Sequence, residues 1–152
     1  MNPEDIQYLI VHCSATPPSL DIGRKEIDAW HRRHGWNGIG YHKVIRRDGT
    51  VEQGRPEDRH GAHCSGLNSV SLGICLVGGV TEKKFGPEEN WRLPEANFSD
   101  EQYDSLRTLL FKLLERYPGA EVVPHNQFAN KACPSFPLKQ WWALQVAGRR
   151  PE

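Results

Sequence analysis

Apolar residues along the chain fall into short runs separated by polar stretches rich in Gly and Pro. Residues 8–11, Tyr-Leu-Ile-Val, form a β-prone run that ends at the polar stretch His12-Cys13-Ser14-Ala15-Thr16 and then Pro17-Pro18. That pattern predicts a buried strand delivering His12 to a sheet edge. Over residues 24–34 the apolar positions Ile27 and Trp30 stand among charges, and Gly35 follows, which predicts a short amphipathic helix with a glycine stop. Residues 41–46 and 50–53 flank Arg47-Asp48-Gly49, a hairpin turn signal, and are expected to pair as antiparallel strands. Residues 72–77 are apolar and closed by Gly78-Gly79, as in a central strand covered on both faces, with Cys75 inside it.

The second half begins with residues 81–97, which mix Gly, Pro, Glu, Lys and one tryptophan without a period and read as a long surface loop. Ser99-Asp100-Glu101-Gln102 is a capping-box start, and Tyr103, Leu106, Leu109, Leu110, Leu113, Leu114 and Tyr117 repeat at helical spacing up to Pro118-Gly119. Residues 121–123 make a last short strand, and residues 138–146 a closing helix after Pro134 and Pro137. Strands interleaved with helices predict an α/β fold: a single mixed β-sheet flanked by about three helices.

A length of 152 residues suits one domain, here residues 1–152 with a core over about 8–146. Nineteen basic side chains balance nineteen acidic ones, so no long-range field favours nucleic acid or an anionic membrane. The start carries acidic residues ahead of a short apolar run, the reverse of a secretory signal, so synthesis is expected in the cytoplasm. In that compartment Cys13, Cys64, Cys75 and Cys133 are expected as free thiols or metal ligands rather than disulfides.

Seven histidines and four cysteines make a metal site the first chemistry to consider. His12 stands at a strand end, and His125 and Cys133 flank the loop 126–132. Two imidazoles and a thiolate are a set zinc accepts, and three protein ligands leave a fourth position open. The spacing alone contains no HExxH or paired CxxC, so surface histidines and a buried thiol remain the alternative.

Several motifs occur together in order: Ile10-Val11-His12-Cys13-Ser14-Ala15-Thr16, Gly38-Ile39-Gly40-Tyr41-His42, Asp48-Gly49-Thr50-Val51, Gly61-Ala62-His63, Ser71-Leu72-Gly73-Ile74 with Gly78-Gly79, and Pro124-His125 through Lys131-Ala132-Cys133-Pro134. From about Tyr8 to Trp142 the chain resembles the type-2 N-acetylmuramoyl-L-alanine amidases. Within them it resembles the small phage endolysins of the T7 lysozyme kind, relatives of the peptidoglycan recognition proteins. The resemblance implies zinc, one ion per chain, held by His12, His125 and Cys133, with Tyr41 and Lys131 as catalytic side chains. It implies that His63 lies by the substrate groove, where a glycan or peptide contact competes with a structural hydrogen-bonding role. It also implies bacterial peptidoglycan as the substrate, a monomer, and action on the wall after release through a membrane lesion of the holin type. Non-catalytic recognition proteins typically lack the ligating cysteine, which is present here as Cys133. Some phage amidases of this type also bind and inhibit an RNA polymerase, a role this sequence leaves open.

Of the remaining residues, Tyr41 could be an ordinary strand aromatic and Lys131 a solvated loop charge. His42 alternates with Tyr41 and is expected to face the other way as a structural residue, with His31, His34 and His60 on the surface. Cys13 is expected to point away from His12 as a buried thiol. Cys64 has no recognisable acid partner that would make it a nucleophile. Trp30, Trp36, Trp141 and Trp142 are expected in the core.

Overall fold

The computed structural model describes residues 1–149. Its strands are β1 (Tyr8–Cys13), β2 (Lys43–Ile45), β3 (Val51–Gln53), β4 (Ser71–Leu76) and β5 (Glu121–Pro124), in the spatial order β3-β2-β4-β1-β5. β1 runs parallel to both β4 and β5, β2 runs parallel to β4, and only the edge pair β2 and β3 is antiparallel. The sheet is therefore single and mixed. Three α-helices, α1 (Arg24–Arg33), α2 (Asp100–Arg116) and α3 (Leu138–Gly148), accompany it. β4 is central and buried at every position, which is why it reads as an unbroken run rather than an alternating one.

Register divides the sheet into two faces. Leu9 beside Leu72, Val11 beside Ile74 and Cys13 beside Leu76 lie on one face. The α2 residues Leu106, Leu109, Leu110 and Leu113 pack there together with Phe136 and Leu138, while Trp141 and Trp142 cover the margin. The start of α2 closes the capping box read in the sequence: Ser99 Oγ accepts from the Gln102 N–H at 3.1 Å, and Gln102 Oε1 accepts from the Ser99 N–H at 3.0 Å. The same Gln102 side chain, wholly buried, donates to the carbonyls of Ile45 and Val77 at 3.1 and 2.9 Å. It thereby ties α2 to the carboxyl ends of β2 and β4.

Tyr8 beside Ser71, Ile10 beside Gly73 and His12 beside Cys75 share the opposite face. There Ile27 and Trp30 of α1 pack with Ile22, Ile39, Val44, Cys75 and Val77, and a smaller cluster joins Ile10, Cys64 and Val123. The hairpin turns at Gly49, whose φ of +90° suits glycine, with the Gly49 N–H donating to the Arg46 carbonyl. The loop 81–97 is pinned by isolated bridges between Val80 and Pro94 and between Phe85 and Trp91. Among the described residues no helix is long and apolar enough to cross a membrane.

Two expectations need correction. The strand expected over 41–46 is regular only over Lys43–Ile45, although the carbonyls of Tyr41 and His42 still accept from the N–H groups of Arg55 and Gly54, just beyond β3. Trp36 is not in the core: it is 44% exposed, although Trp30, Trp141 and Trp142 do pack against core clusters.

Candidate functional site

Parallel pairing of β1 with β5 sets Val11 beside Pro124, so His12 and His125 leave the sheet side by side at its carboxyl edge. Their ring centroids are 4.3 Å apart. The chain then makes a 3-10 turn over His125–Gln127 and comes back, held by the Asn126 N–H donating to the Cys133 carbonyl at 3.0 Å. The Cys13 N–H donates to Cys133 Sγ at 3.1 Å. These constraints gather one ligand atom each from His12, His125 and Cys133 within 4.8 Å of one another. A tetrahedral zinc with bonds of about 2.0–2.3 Å separates its ligand atoms by roughly 3.3–3.8 Å, so three donor atoms within 4.8 Å of one another are near enough for small side-chain shifts to close on that ion.

The fit is also chemical. His125 Nδ1 is buried and has no hydrogen-bond partner, a costly state for a polar atom unless something else satisfies it. Burial, then the neighbouring His63, His125 and Lys131, hold His12 well below the ordinary histidine range, and burial followed by Lys131 lowers His125. Both rings are neutral at neutral pH, the form in which imidazole ligates a metal. The neighbouring Cys13 thiol and burial push the Cys133 thiol up, a preference that a bound cation inverts.

Around this group the Tyr41 ring lies 5.1 Å from that of His12, and burial, with the nearby Cys75, keeps its phenol protonated. Lys131 is exposed on the returning loop, its N–H donating to the Ala129 carbonyl at 2.9 Å. Its charge acts on both His12 and His125. His63 Nδ1 is 2.8 Å from His12 Nε2, and His63 Nε2 is 3.2 Å from Ser71 Oγ, so both ring nitrogens are engaged within the protein. Burial pushes this ring down to about 3.

Other titratable residues sort clearly. His42 is wholly buried, with Nδ1 accepting from the Gly73 N–H at 3.0 Å and Nε2 donating to the Arg59 carbonyl at 2.8 Å, a structural role. It does not lie across the sheet from the site, however, because its ring is 5.7 Å from that of His63. His31, expected on the surface, is half-buried: its Nδ1 accepts from the Gly40 N–H at 2.8 Å, and its ring lies 5.5 Å from Tyr41. His34 and His60 are exposed. The Cys13 side chain belongs to the core beneath α2, and burial raises the Cys64 thiol, so it stays protonated. All four cysteines are free. Sequence reading did not find the partners that fix the site, namely Ser71 and the backbone N–H of Cys13, although the Ser-Leu-Gly-Ile segment contained Ser71 in plain view.

The family model for N-acetylmuramoyl-L-alanine amidase matches residues 2–136. The chain belongs to that family. It is 48% identical over 139 residues to the endolysin of Klebsiella phage KP32, covering 91% of this chain and 87% of the phage protein. It is 49% identical over 140 residues to the endolysin of Escherichia phage T7, with the same coverage of 91% and 87%. Among solved structures, the N-acetylmuramoyl-L-alanine amidase LysC from Clostridium intestinale URNW superposes with a TM-score of 0.76 at 27% identity, over 95% of this chain and 87% of its own. The protein is thus an N-acetylmuramoyl-L-alanine amidase of the phage endolysin type, and the grouped histidines and cysteine lie at the carboxyl edge of an amidase sheet.

Proposed function

We propose that this amidase is zinc-dependent, with one zinc per chain held by His12, His125 and Cys133. In this reading it hydrolyses the amide between the lactyl carbonyl of N-acetylmuramic acid and the amine of L-alanine in bacterial peptidoglycan. The observation that carries the reading is the cluster of His12, His125 and Cys133, whose ligand atoms lie within 4.8 Å of one another, together with the orphaned, buried Nδ1 of His125. Two neutral imidazoles and a thiolate suit zinc, and three protein ligands leave a position for catalysis. When bound, zinc supplies Lewis acidity and brings the ionisation of water toward neutral pH.

The chain's own groups do the rest. Lys131, a cationic side chain on an exposed loop, neutralises the oxyanion that grows on the substrate carbonyl oxygen. Tyr41 keeps its phenolic proton at neutral pH, so its Oη–H can donate a hydrogen bond to that oxygen; as a relay it takes up a proton released by the attacking water as it passes its own to the departing alanine nitrogen, and ends protonated. His63 is left out of the substrate contacts, because both of its ring nitrogens are already taken up inside the protein. Action during phage or prophage lysis, with the wall reached through a membrane lesion made by another protein, is supported by kinship with phage endolysins.

The test is a digestion of purified peptidoglycan with and without a zinc chelator, read by mass spectrometry. Stem peptides with free alanine amino termini and intact glycan strands are expected, the activity disappearing with chelator and returning with zinc. Elemental analysis is expected to give about one zinc per chain, lost in Cys133→Ser and His12→Ala and kept in Cys64→Ser. Chelator-insensitive release of the same peptides, or full zinc content in Cys133→Ser, refutes the assignment.

A further inference from the structure

The hydrogen bonds behind His12 can be followed proton by proton. The Leu67 carbonyl can only accept, so the single hydroxyl proton of Ser71 goes to it, over 2.7 Å. Ser71 Oγ then has only lone pairs to offer His63 Nε2 at 3.2 Å, so the proton of the His63 ring sits on Nε2. An imidazole carrying one proton leaves its other nitrogen bare, and His63 Nδ1 therefore accepts, at 2.8 Å, from His12 Nε2–H. His12 is left with Nδ1 as the atom it can offer to a metal.

We infer that His63 is a positioning residue that fixes the tautomer and orientation of His12, rather than a residue that contacts substrate. The inference rests on the zinc reading of the site. Independent packing supports it, because the His63 ring occupies space that two glycines leave open. A Cβ on Gly73 would lie 2.6 Å from its Cγ, and one on Gly61 would lie 2.5 Å from its Cδ2. The backbone is pinned as well, since Asn68 Oδ1 accepts from the N–H groups of His63 and Cys64 at 2.9 and 3.0 Å. A ring bonded at both nitrogens and fitted over two glycines is placed to hold its neighbour. Metal-bound histidines commonly donate their second N–H to a carboxylate or carbonyl. Here a neutral imidazole, itself set by Ser71 and Leu67, orients His12 without adding a negative charge.

Two measurements on the full chain test this. The first is zinc affinity by competition with a chromophoric chelator. His63→Leu, which has no acceptor, is expected to bind zinc about 10–100-fold more weakly than wild type, whereas His63→Asn, whose amide oxygen mimics the Nδ1 edge, recovers most of that loss. The second uses 15N-labelled wild-type protein without metal. NMR is expected to find the ring protons on His63 Nε2 and His12 Nε2, and this result does not depend on any variant folding. Zinc binding by folded His63→Leu within about threefold of wild type overturns the inference, as does a ring proton on His63 Nδ1. Failure of wild type itself to bind zinc overturns the metal site as well, whereas equal binding by wild type and His63→Leu overturns the inference alone.

Discussion

Replacing Gly73 with alanine is the sharpest single perturbation of the site, because it leaves the strand able to form and moves one ring. Gly73 does not lie in the left-handed region, so alanine fits the backbone, and the three nearest atoms its Cβ would meet all belong to the His63 ring, at 2.6, 2.8 and 2.8 Å. Carbon atoms rest at about 3.5–4.0 Å, so the ring must withdraw by roughly 1 Å. The neighbouring hydrogen bonds, 2.8 Å to His12 and 3.2 Å to Ser71, cannot both survive such a shift. Overpacking of about 1–3 kcal/mol, with one buried hydrogen bond weakened, lowers the melting temperature by several degrees in a domain of this size. Zinc affinity falls by about 10–100-fold if His63 orients His12. The assay is thermal unfolding of the zinc-free protein, with chelator competition for the metal. Gly119→Ala, whose Cβ would meet nothing within 4 Å, is the control. In a His63→Ala background the cost of Gly73→Ala should largely disappear, since the clashing ring is gone. Unchanged melting and metal affinity in Gly73→Ala, or an equal cost in both backgrounds, would refute the packing argument.

Other expectations follow from the same geometry. Tyr41→Phe and Lys131→Ala should keep zinc and fold but lose most activity on peptidoglycan, and near-normal turnover by Lys131→Ala would remove it from the reaction. Gln102→Leu strands two buried carbonyls and the Ser99 N–H, so denaturant unfolding should show a loss of about 3–5 kcal/mol with little change in zinc affinity. Glu57 offers a pH test. Burial raises its carboxyl, but hydrogen bonds from Tyr117 at 2.7 Å, Lys43 at 3.0 Å and Arg116 at 2.9 Å outweigh burial and bring it down to about 2. A carboxyl depressed on folding stabilises above its unfolded pKa of roughly 4.3, and that contribution is lost as pH falls toward 2. Glu57→Gln should therefore be less stable by about 1–2 kcal/mol at pH 7, with the gap closing near pH 2. A gap that stays constant with pH would contradict this.

Much of the fold was legible because local rules and burial agree. β1 and β4 read as apolar runs and are buried strands, and the capping box at Ser99 opens α2 where the leucine period begins. Tyr41 stands just before the strand expected to include it, a boundary that the local pattern does not mark, since its carbonyl still pairs with the Arg55 N–H beyond β3. His31 looked like a surface residue because a helix position says nothing of the Gly40 N–H that meets it. The approach of His125 and Cys133 to His12 was visible only through family resemblance. It depends on the parallel pairing of β1 with β5, from opposite ends of the chain, and on a returning loop whose sequence carries no period.

β4 contains the signal that was hardest to read. Its sequence, Ser-Leu-Gly-Ile-Cys-Leu, is buried throughout and passes for a featureless central strand. Split by face, it is sharply two-sided: Leu72, Ile74 and Leu76 point at α2, while Ser71, Gly73 and Cys75 point at the side that carries His12. Close packing requires that small residues in a strand be matched by bulk from elsewhere. On this face much of that bulk is imidazole and phenol: His63 fills the space over Gly73, His42 hydrogen-bonds to its N–H, and Tyr41 packs against Cys75. An alternation of large and small within an apolar strand is thus the trace of side chains held over the small face. It also explains why Ser71 and Gly73 belong to the candidate site although neither touches the three clustered ligand atoms. They set where His63 stands, and His63 sets which nitrogen His12 presents.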